Sequence, residues 1–236
     1  MQTLANQKVL VIGGSSGIGE ASASALQALG AQVTIASRDK KKLEVAAARI
    51  GGQVGADVLD TTDTVSLDAY FSRHDAFDHI VISAAQTPGG LVRSLPLEQA
   101  RAAMESKFWG AYNVARAARI KDGGSLTLVS GFLSVRPGEW VLQGAINAAL
   151  ESLGRGLALE LSPVRVNTVS PGVIATPLWS GMADTDRQHM FDTTAASLPA
   201  RRIGRPEDVA NAICYLVTTP YASGSTVLVD GGGAIA

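Results

Sequence analysis

Short runs of β-branched and aliphatic residues alternate with stretches of helical period from one end of the chain to the other. KVLVIG (8–13) is almost continuously apolar, the pattern of a strand buried on both faces. From Ile18 the period becomes helical, with Ala21, Ala25 and Leu29 on one face and Gly30 as the stop signal. QVTIAS (32–37) predicts the next strand. Asp39 then caps a helix carrying Leu43, Ala46, Ala47 and Ile50. QVGADV (53–58) and HIVIS (79–83) read as strands, followed by a helix from about 97 to 120. SLTLVS (125–130) is a strand, 144 to 161 a second long helix, and RVNTVS (165–170) a further strand. Pro206 opens a helix bearing Val209, Ile213 and Leu216, and TVLVD (226–230) closes the series. Strands separated by helices in this way predict an α/β fold, a doubly wound seven-stranded parallel sheet with helices on both faces. With no linker or repeat, the chain reads as a single domain over 1–236. The stretch 175–203 is the least regular. Trp179, Met182, Met190, Phe191 and Leu198 give it apolar anchors, which predicts a lid over a site, with an ordinary helical excursion as the alternative.

Composition narrows the function classes. Of 236 residues, 46% are hydrophobic and 17% charged, which argues against disorder and makes a sizeable core available. The net charge is −1 with no basic block, which argues against nucleic acid or an anionic membrane as partner. No apolar run is long enough to span a bilayer and no leader pattern precedes the first strand, so a cytoplasmic protein is expected. The single cysteine, Cys214, excludes an internal disulfide and reads as a small buried residue on a helix. His74, His79 and His189 show no metal-ligand spacing, and no metal is expected; His189, in the lid, remains a substrate-contact candidate.

GGSSGIG (13–19) joins the first strand to the first helix. Gly13 permits a tight turn, Gly17 permits close approach of backbone to a pyrophosphate, and Gly19 lets the helix pack on the strand. An anion would lie at the helix N-terminus, beside Ser15, Ser16 and Ile18, where free N–H groups and the helix dipole favour it. The spacing is GxxxGxG rather than GxGxxG. Its placement between strand and helix is what marks it as a Rossmann-type nucleotide turn.

With these residues the chain resembles the short-chain dehydrogenase/reductase family, in its compact single-domain branch, over almost its whole length. GGSSGIG is similar to the family's TGxxxGIG, with Ile12 in place of the threonine. GADV (55–58) resembles an element in which Asp57 and the Val58 backbone would bind adenine. RVNTVSPGVIATP (165–177) resembles a segment in which Pro171, Gly172 and Ile174 would face the nicotinamide and Thr176 would hold its carboxamide. Ala84 and Ala85, after the fourth strand, fall where the family has NNAG, although Ser83–Gln86 departs from that pattern at three of four places. GRPEDVANAICYL (204–216) and ASGSTVLVDGG (222–232) are similar to its last helix and strand. The place where an acidic residue would accept from an NAD ribose holds Ser37 and Arg38. A guanidinium and a hydroxyl suit a 2′-phosphate, which favours NADP(H) over NAD. Asp39, one place later, keeps NAD open.

The resemblance also implies a serine, a tyrosine about thirteen residues later and a lysine four after that: serine polarises the carbonyl, tyrosine transfers the proton, lysine tunes the tyrosine and holds ribose. Ser130 matches the serine. Gln143 stands at the tyrosine place and Asn147 at the lysine place. A family asparagine is replaced by Lys107. Glutamine does not titrate near neutral pH, so it can steady an oxygen but cannot deliver a proton. Lys107 can restore an ammonium from the neighbouring helix, or can lie along the helix with its head in water. Glu139 and Trp140 are expected at the pocket mouth. The reading is an NADP(H)-dependent oxidoreductase acting on a small carbonyl or alcohol substrate by an altered proton path, with C=C or C=N acceptors also open. The alternative is an NADP(H)-binding protein without ordinary redox turnover. The helices near 97–120 and 144–161 are rich in small residues, and the resemblance implies that copies pair through them into a homo-dimer or homo-tetramer.

Overall fold

The computed structural model describes residues 3–236. Seven strands form one parallel sheet: β1 (Lys8–Ile12), β2 (Gln32–Ser37), β3 (Gly55–Val58), β4 (Phe77–Ile82), β5 (Ile120–Val129), β6 (Arg165–Pro171) and β7 (Thr226–Val229). Their order is β3-β2-β1-β4-β5-β6-β7. The direction of winding reverses between β1 and β4, which puts the switch point, where this architecture binds ligands, at the turns after these two strands.

The helices α1 (Gly17–Ala28), α2 (Lys40–Ile50) and α8 (Pro206–Thr218) cover one face. Their Ala23, Leu26, Leu43, Val209 and Ile213 pack with Val9, Val11 and Ile35 of the sheet. The opposite face carries α3 (Thr64–Arg73), α5 (Gly110–Ala117) and α6 (Val141–Glu160), whose Leu67, Phe71, Val114, Leu150 and Leu157 pack on Leu10, Ile80, Leu126 and Val166. This division follows from the strand pattern: with no polar alternation, both faces need cover.

Several boundaries differ from the sequence expectation. Helix α3 is additional. Asp63 caps it by accepting from Ser66 N, and Leu67, Tyr70 and Phe71 bury its inner stripe, a helical period that the flanking polar residues obscure. The buried stripe of α1 is Gly19, Ser22, Ala23 and Leu26, so Ala21, Ala25 and Leu29 lie at its margin, rotated from the core. The helix expected over 97–120 is α4 (Leu97–Met104), a π-helical turn (Glu105–Trp109) and α5, ending at Ala117. Strand β5 begins at Ile120, earlier than predicted, because its register with β4 shifts between Phe77 and His79 and takes in the extra residues. The 175–203 stretch is more regular than expected. It holds a short 3₁₀ turn at Pro177–Trp179 and α7 (Asp184–Ser197), which buries no residue. Cys214 is buried on α8, and burial pushes its thiol up to about 11.

His79 is a core residue of β4, 5% exposed, between Ser125 Oγ at 2.8 Å from Nδ1 and Gln7 Oε1 at 2.7 Å from Nε2. Burial, aided by the Arg165 charge, lowers it from 6.5 to about 4. In the unfolded chain the ring gains its proton as pH falls through 6.5, and in the fold only near 4. Stability is therefore present above 6.5 and is lost on acidification through this window, by about 3 kcal/mol. Chemical denaturation at a series of pH values should give a flatter curve for His79→Gln than for the natural chain across that range. Parallel curves would show that the ring does not titrate differently in the two states.

Candidate active site

The turn after β1 is built for close approach. Gly13 and Gly17 have φ of +87° and +54°, the region where L side chains are strained. A Cβ on Gly13 would meet Ala84 N at 2.5 Å, one on Gly17 would meet Thr176 at 3.2 Å, and one on Gly19 would run into the Gly13 carbonyl. The glycine turn, Ala84 and Thr176 are thus brought together from three separate segments. Ser16 is the N-cap of α1 and makes no side-chain cap bond, so the first N–H groups of the helix keep their capacity for an anion.

At the end of β2, Ser37 Oγ is buried with no hydrogen-bond partner among the described residues. Its neighbour Arg38 is exposed and donates to Gln86 Oε1 at 2.8 Å. Asp39 is taken up as the cap of α2, accepting from Lys42 N at 3.1 Å. Asp57, at the end of β3, accepts from Tyr70 Oη at 2.8 Å and lies 3.6 Å from His74 Nε2. Burial and the carboxylate push the Tyr70 phenol up. Val58 beside it is exposed. Pro171 ends β6, and Gly172 packs so tightly that a Cβ would meet Asp230 Cα at 2.8 Å. Ile174 is 5% exposed and belongs largely to the core, its carbonyl accepting from Trp179 Nε1. Ser15 and Ile18 flank the glycine turn, and Ala85 is exposed beyond β4.

The candidate reactive end is a polar cluster between the π turn, the end of β5 and α6. The π turn adds a residue to the helix and aims Lys107 across at α6. Its Nζ donates to Ser130 O and to Asn147 Oδ1, each at 2.7 Å. The ammonium therefore turns inward, not to bulk water. Burial, opposed by the Glu151 carboxylate, lowers it from 10.5 to about 8.

Gln143, Asn147 and Glu151 are one helical turn apart on α6 and all three are buried. Gln143 Nε2 donates to Pro88 O, and a carbonyl can only accept, so this contact fixes the amide orientation. Its Oε1 is left buried and without a partner. Ser130 Oγ donates to Glu151 Oε1 at 2.8 Å, and Ser134 Oγ donates to the same oxygen at 2.6 Å. Trp140 lies over Gly89, where a Cβ would come within 2.8 Å of the indole. The 84–90 loop therefore straps the start of α6, touching Arg38 through Gln86 and Gln143 through Pro88.

Glu151, Ser134 and Pro88 were absent from the sequence expectation. A signal existed for Glu151: with Gln143 and Asn147 it continues a four-residue polar spacing along a helix whose other buried positions are apolar or glycine. Pro88 and Ser134 carry no such signal, since loop packing alone brings them in. His189 is exposed on α7, and the described residues hold no cluster of histidine, cysteine or carboxylate able to bind a metal. No helix among them is long and apolar enough to cross a membrane.

A family model described as Enoyl-(Acyl carrier protein) reductase matches residues 12–233. A curated relative, the short-chain dehydrogenase/reductase ATR9 of Stachybotrys chlorohalonatus, is 34% identical over 98% of both chains. Among solved structures, a small-chain dehydrogenase in complex with NADPH superposes with a TM-score of 0.86 at 33% identity, covering 98% of this chain and all of the other. An NADPH-bound short chain oxidoreductase from Pseudomonas aeruginosa PAO1, described as containing an atypical catalytic center, reaches a TM-score of 0.91 at 26% identity, over 99% and 98% of the two chains. The sheet order, the glycine turn and these relatives agree: the chain belongs to the short-chain dehydrogenase/reductase family, a family of oxidoreductases on a Rossmann-type sheet.

Proposed function

We propose that the protein is an NADP(H)-dependent oxidoreductase acting on a small carbonyl or alcohol substrate, in which Lys107 rather than residue 143 handles the proton. The observation that carries this reading is the Lys107 ammonium, held 2.7 Å from both Ser130 O and Asn147 Oδ1. The other candidate donors are engaged: the Gln143 amide N–H with Pro88, and the Ser130 hydroxyl with Glu151. Two of the three ammonium protons are directed, which leaves one for a substrate oxygen or a bridging water. Burial lowers the group to about 8, close to the working pH that suits a general acid.

The residues present fit NADP(H). The uncapped start of α1 suits the pyrophosphate. Arg38, with the unpartnered Ser37 hydroxyl, suits the 2′-phosphate. Asp57 and Val58 would meet adenine, and Pro171, Gly172, Ile174 and Thr176 the nicotinamide end beside Ala84 and Ala85. When bound, the nicotinamide supplies or accepts the hydride. Around it, Asn147 holds Lys107 in place, and Gln143 Oε1 presents an acceptor to a hydroxyl or N–H. Residues 175–203 would cover the substrate. Trp109, Tyr112 and Leu159, exposed on α5 and α6 and the turn between α4 and α5, support pairing of copies through these helices.

A second reading, NADP(H) binding without turnover, is favoured by the same internal engagement of Gln143 and Ser130. The two readings separate in one experiment. NADPH is titrated onto the protein, and ketone, enone and imine substrates are then screened for loss of nicotinamide absorbance. Oxidation with any of them supports the enzyme; tight binding with none supports the second reading.

A further inference from the structure

We propose that Glu151 is a positioning residue for this site, supplying the counter-charge to the Lys107 ammonium and fixing the orientation of Ser130 and Ser134. The inference rests on the reading of Lys107 as the proton carrier. Nothing in the nucleotide turn or in the segment facing the nicotinamide requires a carboxylate here. Yet Glu151 is 6% exposed, inside a helix whose other buried positions are the neutral Gln143, Ile146, Asn147, Leu150, Gly154 and Leu157. A buried anion persists where it is hydrogen-bonded and faces a cation. The first holds directly; the second holds through Ser130, whose carbonyl accepts from Lys107 and whose hydroxyl donates to Glu151. Oε1 accepts from Ser130 and from Ser134, and the carboxylate is the only charged side chain among the described residues whose field shifts Lys107.

The connection is short. Asn147 lies one turn before Glu151 on α6 and accepts from Lys107; Ser130 accepts from Lys107 through its carbonyl and donates to Glu151 through its hydroxyl. One hydrogen-bonded link, Lys107–Ser130–Glu151, thus joins cation and anion, and Asn147, a turn away on α6, gives the cation its second partner. Because both serine protons are directed at the carboxylate, the serines offer lone pairs to anything else that reaches them. The arrangement leaves the ammonium as the hydrogen-bond donor of the site and keeps it charged against the burial that favours its neutral form.

The test is the titration of Lys107 Nζ, followed by NMR through the side-chain resonances in the NADPH complex and in the protein alone. In Glu151→Gln, which keeps shape and loses charge, the titration should move down by about one pH unit, and the alkaline limb of the reductase pH profile should move with it. In Glu151→Asp, which keeps the charge, the titration should stay near that of the natural chain. Should the glutamine variant not fold, the natural chain still decides: the Glu151 carboxyl carbon should register a step at the pH where Lys107 loses its proton. An unmoved Lys107 titration in Glu151→Gln, or no such step at the carboxyl carbon, overturns the proposal. The titration needs no turnover, so a protein that binds NADPH without reducing anything would refute the proposed function while leaving the role of Glu151 open to this measurement.

Discussion

Lys107→Met is expected to lower NADPH-dependent turnover by about 10²–10⁴-fold, the usual worth of a positioned proton-transfer group, with a much smaller change in NADPH affinity. Methionine keeps the length and apolar stem, so the helix turn should survive while Ser130 O and Asn147 Oδ1 lose their shared donor. Lys107→Arg separates charge from proton. It retains a cation, but a guanidinium does not release a proton at neutral pH, so turnover should stay low. The pH dependence has a defined sign. Reduction needs the protonated form and should fall as pH rises through about 8; oxidation of an alcohol needs the neutral form and should rise over the same range. Stopped-flow decay of nicotinamide absorbance under single-turnover conditions checks both. Natural-level turnover in Lys107→Met would remove Lys107 from the proton path.

The difference between what was legible in the sequence and what was not follows from the range of the interactions involved. The strands of the sheet could be read because a doubly covered strand is apolar throughout, as in Val9–Ile12, and the glycine turn because positive φ and close backbone approach demand glycine at Gly13 and Gly17. Helix α3 escaped because the stripe of Leu67, Tyr70 and Phe71 is short and set among Thr, Ser and Asp. The site was half legible. Spacing placed Gln143 and Asn147 on one face of α6, and position alone nominated Lys107. Which way each side chain points was not available, since that depends on the π turn, on the loop bringing Pro88 to Gln143, and on Glu151 drawing in the Ser130 hydroxyl. The donor role that the resemblance implies for the Ser130 hydroxyl competes with its hydrogen bond to Glu151, a contact that no local pattern announces.

The cofactor end of the site gives the other large effect. Arg38→Ala should weaken NADPH binding by roughly 10–100-fold, because charge-assisted hydrogen bonds to a phosphate are worth about 1.5–3 kcal/mol and each 1.4 kcal/mol is about tenfold. NADH, which lacks the 2′-phosphate, should bind with nearly unchanged affinity. The arrangement of side chains suits this expected selectivity. The residue that could have served an NAD ribose, Asp39, is engaged as the cap of α2, while Gln86 holds the Arg38 guanidinium at 2.8 Å with its own backbone N–H anchored on Ser106 Oγ. Arg38 is therefore preorganised, with donors left over for a phosphate. Gln86→Ala should accordingly weaken NADPH too, by less than Arg38→Ala and again without affecting NADH. Fluorescence titration of both cofactors against the natural chain and the two variants reads the result. An equal loss for NADPH and NADH would mean that Arg38 acts on the fold of the turn rather than on the phosphate, and the proposal of NADP(H) would have to rest on Ser37 and on the NADPH-bound relatives.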